Sequence, residues 1–260
     1  MAGNKYDRIR LGVSSLVWSS DLSNQERLED CLHEIEQIGY EGVLMFDMSV
    51  VPWLDRPDEY KAILAKYNLV LLGVILRPNL DFGATERIAK FMQAIGADIM
   101  NISGRDGTEA EWKIAIPALQ RHAEIAHKYG IRAVYQHHTG WMAETMEQYE
   151  RLLADTDRTY LGVMIDCGHA TKDWVGHNAQ EFILRHPELD YIEFKDYTPE
   201  TDLRTEVGRG TTDWPKVADA VRAIDYKGWL VVEQNGSFRP PMLGSDESYH
   251  YIRDVLGLGR

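Results

Sequence analysis

The sequence predicts a single α/β domain in which eight parallel strands and their following helices close into a barrel. Short β-branched runs alternate with longer amphipathic stretches, and this pattern, typical of repeated βα units, occurs eight times along the chain. The chain has 260 residues with 44% hydrophobic content, which suffices for one large core and is the usual size of such a barrel. No Pro/Ser-rich linker interrupts the series, so residues 1–260 are expected to form one (β/α)8 domain, the TIM-barrel architecture.

The elements follow in chain order. Leu28, Leu32 and Ile35 recur at helical spacing and mark the first helix. Ser23 is its candidate N-cap, and Gly39 ends it. The eight strands are predicted at Arg10–Leu16, Gly42–Phe46, Val70–Leu76, Ile99–Ile102, Arg132–Gln136, Leu161–Ile165, Tyr191–Phe194 and Trp229–Glu233.

Charge and composition exclude several classes of function. The formal net charge of −13 would repel phosphate backbones and an anionic membrane, so neither nucleic acid nor a membrane is expected as a partner. No stretch reaches the roughly 18 apolar residues that span a bilayer, and the first residues lack the apolar part of a secretory signal. Cys31 and Cys167 do not make a disulfide framework. A cytoplasmic protein acting on a neutral small molecule is therefore expected, with a protein partner as the alternative.

Four acidic or amide side chains fall at the ends of the last four predicted strands in the order Gln136, Asp166, Glu193 and Glu233. If the strands close into a barrel, these ends share the rim at which barrel enzymes keep their chemistry. Oxygen ligands suit hard divalent ions, and buried carboxylates need a neutralising cation. A lone acidic residue at such a place is often a helix cap or solvated, but four in succession favour a metal site. Mn²⁺ or Mg²⁺ is the expected ion, with Co²⁺ as a third option.

Candidate acid–base groups lie beside these residues. His138 and His169 are close in sequence to Gln136 and Asp166, and an imidazole near a bound cation can donate or accept a proton near neutral pH. Lys195 follows Glu193 by two positions and points to the same side of its strand. It can stabilise an enolate, act as a base when desolvated, or form an ion pair with a nearby aspartate such as Asp166.

Aromatic residues after the predicted strands suggest the class of substrate. Indole rings pack against the C–H face of a sugar ring, and the ring N–H can reach a hydroxyl. Together they indicate a carbohydrate or cyclitol, although each one alone is more often loop packing. The tryptophans in these places are Trp18, Trp53, Trp141 and Trp174.

Arginines in the same strand-following loops are candidates for binding a carbonyl, carboxylate or phosphate. They are Arg77, Arg105 and Arg209. Arg209 belongs to the one long connection after a strand, Lys195–Asp213, which is polar and rich in glycine. A loop of this length in a compact domain is usually functional or mobile.

The second half of the chain carries motifs that resemble a known family. The stretches YQHHTGW, DCGHA and YIEFKD, followed by EVGRGTTDWPKV and DYKGWLVVE, occur in the order found in the xylose isomerase-like TIM barrel superfamily, the sugar phosphate isomerase/epimerase family. The resemblance covers most of positions 130 to 235, and it covers the first half by topology. The YQHHTG run is closest to members of the inosose dehydratase type.

The resemblance implies roles for single residues. Asp166 and Glu233 match metal ligands, and His169 matches a histidine that contacts substrate. Glu193 stands where the family usually has a metal-binding histidine. Gln136 stands where the epimerases have a ligand glutamate that also moves a proton, which a glutamine cannot do. The family resemblance therefore favours a lyase over a two-base epimerase.

The expected reaction is metal-dependent α-proton abstraction and β-elimination from a keto-cyclitol or keto-sugar, such as an inosose or a 3-keto-glycoside. His138 or Lys195 is the candidate base, with Glu233 the weaker alternative, and His169 is the candidate acid. A sugar isomerase or epimerase working through an enediolate is the second hypothesis, and a non-catalytic barrel subunit is the third. Barrels of this family often pair, so a homodimer or homotetramer is expected.

Overall fold

The chain folds as a barrel of eight parallel strands surrounded by helices, which confirms the predicted fold class. The computed structural model describes residues 6–77, 81–104 and 108–259. The barrel strands are β1 (Arg10–Ser14), β2 (Gly42–Phe46), β3 (Val70–Leu76), β4 (Ile99–Ile102), β5 (Arg132–Tyr135), β6 (Met164–Asp166), β7 (Tyr191–Phe194) and β10 (Trp229–Val232). Neighbouring strands follow the order β5-β4-β3-β2-β1-β10-β7-β6.

The barrel closes between β5 and β6 by a narrow seam. A single bridge pairs Ala133 with Leu161, and the Gly162 N–H donates to the Ala133 carbonyl at 2.6 Å. The sixth predicted strand therefore splits into this bridge and the shorter β6. Across the seam, Arg132 Nε donates to Asp190 Oδ1 at 3.0 Å. An ion pair thus reinforces the part of the barrel with the fewest strand hydrogen bonds.

Ten α-helices surround the barrel among the described residues. Helix α1 begins after the N-cap Asn24, one residue beyond the predicted Ser23, because the Asn24 side chain accepts the Arg27 N–H. It ends at Gly39 as predicted. None of the described helices is both long and apolar enough to cross a membrane. The helices are α1 (Gln25–Ile38), α2 (Asp47–Val50), α3 (Pro57–Lys66), α4 (Phe82–Ile95), α5 (Glu109–Lys128), α6 (Met146–Asp155), α7 (Cys167–Asp173), α8 (Ala179–Arg185), α9 (Trp214–Ala223) and α10 (Pro241–His250).

Apolar side chains divide into two layers. The larger cluster lies between the outer face of the strands and the helices. The smaller fills the barrel interior, where alternate residues of each strand point inward. Polar residues replace apolar ones at the carboxyl ends of β4 to β7 and after β10. The candidate site therefore lies at this end of the barrel, next to the apolar interior cluster. The interior cluster consists of Leu44, Leu72, Ile75, Ile99, Val134, Met164, Tyr191, Trp229 and Val231.

The long connection after β7 has a structure of its own, which the sequence did not predict. Strands β8 (Asp196–Thr198) and β9 (Asp202–Thr205) pair as an antiparallel hairpin. The segment after the hairpin folds back onto Asp196, whose carboxylate accepts the N–H groups of Gly208 and Gly210, each at 2.9 Å. The connection is therefore an ordered flap beside the rim.

Candidate active site

Three carboxylates converge at the carboxyl-terminal rim. Asp166 ends β6, Glu193 lies in β7, and Glu233 directly follows β10. Asp166 is paired in register with Glu193, and Glu193 with Val231, so parallel alignment brings the three side chains together. One oxygen of each lies within 4.8 Å of those of the other two, and all three residues are buried.

A buried lysine balances part of this negative charge. Lys195 Nζ donates to Asp166 Oδ2 at 3.0 Å and to Glu233 Oε1 at 2.7 Å. Burial alone would lower the pKa of Lys195, but Asp166, Glu233 and Glu193 outweigh it and raise that pKa above its ordinary value. Burial and the charges of Glu233 and Asp166 raise the pKa of Glu193 well above its usual range. Of the roles predicted for Lys195, the ammonium ion in an ion pair fits this geometry.

The donor set fits a hard divalent ion. Glu233 Oε2 is buried and has no hydrogen-bond partner among the described residues. A buried carboxylate oxygen left without a partner is costly, and a cation shared with the other two carboxylates would satisfy it. Asp166, Glu193 and Glu233 can therefore supply three oxygen ligands.

Asp166 uses its two oxygens differently. Oδ1 accepts the N–H groups of Gly168 and His169, both at 3.0 Å, and so caps α7, while Oδ2 faces Lys195. Asp166 is therefore both a helix cap and a member of the carboxylate cluster, and these are the two roles that the sequence left open for such a residue. Glycine at position 168 lets the start of α7 lie close to the Lys195 side chain, because a Cβ there would lie 2.6 Å from Lys195 Cγ.

Gln136 directly follows β5 and joins the cluster through its amide. Nε2 donates to Asp166 Oδ2 at 3.1 Å and to Glu193 Oε2 at 2.6 Å. Its Oε1 accepts from Asn101 Nδ2 at 3.2 Å. The four residues predicted from strand ends therefore meet in space, and Gln136 presents a neutral amide to the carboxylates. Its role as a metal ligand stays a prediction.

His169 forms the wall next to Asp166. Its Nε2 lies 3.8 Å from Asp166 Oδ2, and it has no hydrogen-bond partner among the described residues. On the other side of the ring, Nδ1 accepts the Thr139 N–H at 3.3 Å when the ring is neutral, and the proton of that neutral ring is then on Nε2. The Thr139 hydroxyl donates to Asp173 Oδ2 at 2.7 Å, and this aspartate lies 3.4 Å from Nδ1.

His138 lies against His169, with ring centroids 4.1 Å apart, and stacks on Trp141 at 3.9 Å. Its Nδ1 is 2.8 Å from the Thr139 carbonyl and donates to it, which leaves the Nε2 lone pair free to accept a proton. Burial and the neighbouring His169 lower the pKa of His138 to about 4, so it is neutral near pH 7. The structure thus brings both predicted histidines and Trp141 together beside the cluster.

The other predicted tryptophans pack into the protein. Trp174 is buried and packs on His137, with ring centroids 4.7 Å apart. Trp53 is buried against the helices, and the indole N–H of Trp18 donates to Glu34 of α1 at 2.6 Å. Their observed contacts are with other residues of the protein, and substrate binding by Trp18 and Trp174 stays a prediction.

Two of the three predicted arginines lie in the described part of the chain, and both have acidic partners. Arg77, directly after β3, donates through Nε to Asp47 at 2.9 Å, while Arg209 pairs with Glu247 of α10 and is largely exposed. Arg105 lies outside the described residues. The binding roles of Arg77 and Arg209 stay predictions. Asp47 is fully buried at the end of β2, so the rim of the first half also carries charge.

Sequence reasoning missed several polar residues that support the site. Asn101 lies near the end of β4. A search for polar side chains at strand ends that included the fourth strand as well as the last four would have found it. Tyr191 donates to Glu193 Oε1 at 2.8 Å from two positions earlier on the same face of β7. Asp173 lies four residues after His169, one helical turn away.

The polar cluster lies at the carboxyl-terminal rim of a closed (β/α)8 barrel. Barrel enzymes have their active sites at this end. The chain belongs to the xylose isomerase-like TIM barrel family, whose model matches residues 32–255. An inosose dehydratase of Lactiplantibacillus plantarum is 25% identical over 298 aligned positions, covering 95% of this chain and 96% of that protein. These findings confirm the resemblance seen in the sequence.

Solved structures share the fold. An L-ribulose 3-epimerase superimposes with a TM-score of 0.80 at 16% identity, covering 96% of this chain and 95% of that one. A xylose isomerase-like TIM barrel protein from Mycobacterium smegmatis, in complex with magnesium, gives a TM-score of 0.77 at 16% identity and 97% coverage of both chains. At these identities the likeness establishes the architecture.

Proposed function

We propose that the protein is a divalent-metal-dependent dehydratase, a carbon–oxygen lyase that acts on a keto-cyclitol of the inosose kind or on a related keto-sugar. The observation that carries the proposal is the buried cluster of Asp166, Glu193 and Glu233 beside the neutral amide of Gln136. The relative named inosose dehydratase, aligned over nearly the whole of both chains, supports this substrate class.

Asp166, Glu193 and Glu233 would hold the ion, and Gln136 is the candidate fourth ligand. An all-oxygen set favours Mn²⁺ or Mg²⁺, with Co²⁺ as a third option. When bound, the ion would polarise the ketone of the substrate and so acidify the neighbouring C–H. Lys195 keeps its proton beside Asp166 and Glu233 and offers positive charge where the carbonyl oxygen becomes negative.

His138 is the base in this proposal. It is neutral near pH 7, its Nδ1 is occupied by the Thr139 carbonyl, and its Nε2 is free to take the α-proton. The stack on Trp141 fixes the ring plane. Lys195 is the weaker candidate, because an ammonium ion with a raised pKa has no lone pair to accept a proton.

His169 is the acid. It would act in its imidazolium form, in which Nδ1–H faces Asp173 Oδ2 at 3.4 Å and Nε2–H supplies the proton to the hydroxyl that leaves the β-carbon. The α C–H bond and the β C–O bond break, a C=C bond forms, and water departs. Because one histidine gains a proton while its neighbour loses one, the pair of rings ends with the number of protons it had at the start.

Gln136 separates this mechanism from epimerisation. A two-base epimerase needs an ionisable group on each face of the reacting carbon, and an amide neither accepts nor returns a proton at ordinary pH. Gln136 stands where the epimerases have a glutamate, so Glu233 is left as the one carboxylate of such a two-base pair.

Proton NMR of 2-keto-myo-inositol and of a 3-keto-glucoside in D₂O tests the proposal. The metal-free protein is compared with the same sample after addition of Mg²⁺, the diamagnetic member of the expected pair. Loss of the α-proton signal together with an enone product is expected only with the ion. Deuterium uptake without elimination would instead identify an epimerase or isomerase, and no change in either substrate contradicts the proposed substrate class.

A further inference from the structure

Two buried side-chain amides meet beside the carboxylate cluster. Asn101 lies on the inward face of β4 and is fully buried. Its Nδ2 donates to Gln136 Oε1 at 3.2 Å. Its Oδ1 is equally buried but has no hydrogen-bond partner among the described residues. A buried carbonyl oxygen without a donor destabilises the folded state, so an unpaired oxygen next to the carboxylate cluster needs a physical reason.

The amide of Gln136 presents its nitrogen to the cluster. Nε2 donates to Asp166 Oδ2 and Glu193 Oε2, two of the oxygens that would surround a cation. A cation binds the carbonyl oxygen of an amide and not its NH₂ group. A half turn of the Gln136 amide would exchange the two atoms with almost no change in shape. The same turn would bring Nε2 against Asn101 Nδ2, donor against donor.

We propose that Asn101 and Gln136 turn together when a divalent ion binds, so that Asn101 is a positioning residue that presents Gln136 Oε1 to the ion. A half turn of Asn101 brings its orphan Oδ1 to the place of Nδ2, where it accepts from Gln136 Nε2. This inference rests on the metal site of the proposed function and adds a residue to the support of that site.

The residue type at position 101 fits this role. An asparagine can donate to Gln136 Oε1 in one state and accept from Gln136 Nε2 in the other, because its two ends have opposite hydrogen-bonding character. An aspartate could only accept, and a leucine could do neither. Groups that orient a ligand in this way typically contribute a factor of about 10–100 in metal affinity.

A double-mutant cycle on Mn²⁺ affinity tests the proposal without any substrate. The variants are Asn101→Leu, Gln136→Leu and the double variant, with Mn²⁺ binding measured by calorimetry and by the electron paramagnetic resonance signal of the free ion. Asn101→Leu is expected to weaken binding about 10-fold in the wild-type background. In the Gln136→Leu background it should change binding less than about 2-fold, since the residue it positions is gone. Equal factors in both backgrounds, or no effect in either, would overturn the inference.

A matched control and a second measurement protect the test against misfolding. Met100→Leu alters the outer face of the same strand, where Met100 packs on the helical layer, and should leave Mn²⁺ affinity unchanged. In the unmutated protein labelled with ¹⁵N-glutamine and ¹⁵N-asparagine, saturation with Mg²⁺ should shift the side-chain amide resonances of both Gln136 and Asn101. Saturation that leaves both resonances in place contradicts a coupled turn.

The outcomes separate this inference from the proposed reaction. If the double-mutant cycle shows coupling but neither ketone is dehydrated, the positioning role of Asn101 stands and the proposed function is wrong. If a ketone is dehydrated but the two substitutions are additive, the proposed function stands and the role of Asn101 is wrong. A protein that binds neither Mn²⁺ nor Mg²⁺ overturns both.

Discussion

At the scale of single residues, the site depends on side chains that have more than one task. Asp166 caps α7 through Oδ1 and faces the cluster through Oδ2. Lys195 Nζ donates to both Asp166 and Glu233, two of the carboxylates proposed to hold an ion. A bound cation and the lysine would therefore balance the same carboxylates.

Asp166→Asn is expected to lower Mn²⁺ affinity by at least about 10-fold, because it removes one of the three charged ligands while keeping the helix cap and the shape. Calorimetric titration of metal-free protein measures the change. Asp202→Asn, an exposed carboxylate on the neighbouring hairpin, is the control and should bind as the wild type does. A full metal content in Asp166→Asn would show that the cluster is not the metal site.

Glu193→His is expected to shift metal preference toward Zn²⁺ and Co²⁺ over Mn²⁺ by about 10-fold, because imidazole nitrogen is a softer ligand than carboxylate oxygen. Competition with a chromophoric chelator gives the ratio of affinities. Tyr191→Phe removes only the hydroxyl that donates to Glu193 and should keep the wild-type preference. An unchanged ratio in Glu193→His would mean that this residue is not a ligand.

His169→Gln is expected to lower kcat about 100-fold while KM and Mn²⁺ affinity stay within about 2-fold, since a positioned acid acts in the transition state. Steady-state kinetics on the ketone substrate gives kcat and KM separately, and the metal content of each sample is measured alongside. His177, near α8, pairs with Glu147 and Glu181 away from the cluster, so His177→Gln serves as the matched control. Loss of metal in His169→Gln would instead indicate a structural or ligand role.

At the scale of elements, the flap after β7 is organised around one carboxylate. Asp196 is fully buried and accepts the N–H groups of Gly208 and Gly210, the indole N–H of Trp214 and the backbone N–H of Tyr197. The fit is tight, because a Cβ on Gly210 would lie 2.1 Å from Asp196 Oδ1. The polar, glycine-rich segment, for which the sequence predicts a functional or mobile loop, encloses the buried Asp196 carboxylate.

Asp196→Asn is expected to destabilise the fold by about 2–4 kcal/mol, since the amide NH₂ faces N–H donors that then lose their acceptor. Urea unfolding followed by circular dichroism measures the difference. Asp202 of β9 carries the same side chain on the surface, and Asp202→Asn should change stability by less than about 0.5 kcal/mol. Equal stability of the two variants would contradict the anchoring role of Asp196.

At the scale of the whole molecule, the site joins strands from the closing part of the barrel. One bridge links β5 to Leu161, ahead of β6, and Gln136 after β5 donates to Asp166 of β6 and Glu193 of β7 across this seam. A divalent ion held by Asp166, Glu193 and Glu233 would join β6, β7 and the end of β10, which are neighbours on one side of this seam. Binding energy and folding energy are then linked, because the unfolded chain has no such site.

Addition of Mn²⁺ at about 100 times its Kd is expected to stabilise the protein by about 2.7 kcal/mol, which for a domain of this size raises Tm by about 5–10 °C. Differential scanning calorimetry of metal-stripped protein with and without Mn²⁺ measures the shift. The shift should disappear in Asp166→Asn. A Tm that does not respond to Mn²⁺ in the wild type would show that the ion does not bind the folded state.

Much of the fold and part of the site can be predicted from the sequence. Periodicity and length determine the barrel, and β2, β3, β4 and β7 have the predicted bounds because burial on both faces requires continuous apolar runs. Parallel alignment then places the strand-end residues at one rim, so Gln136, Asp166, Glu193 and Glu233 could be grouped before any coordinates were known.

Only the tertiary structure decided how those residues are paired. The partners of Gln136 and Lys195, the orphan oxygens of Asn101 and Glu233, and the Thr139–Asp173 support of His169 depend on distances between strands and loops that are remote in sequence. Likewise, tryptophans in rim loops can turn toward a substrate or into the helical layer, and Trp174 turns into the core. Sequence order fixes which strand carries a side chain, whereas packing and charge in three dimensions fix what that side chain contacts.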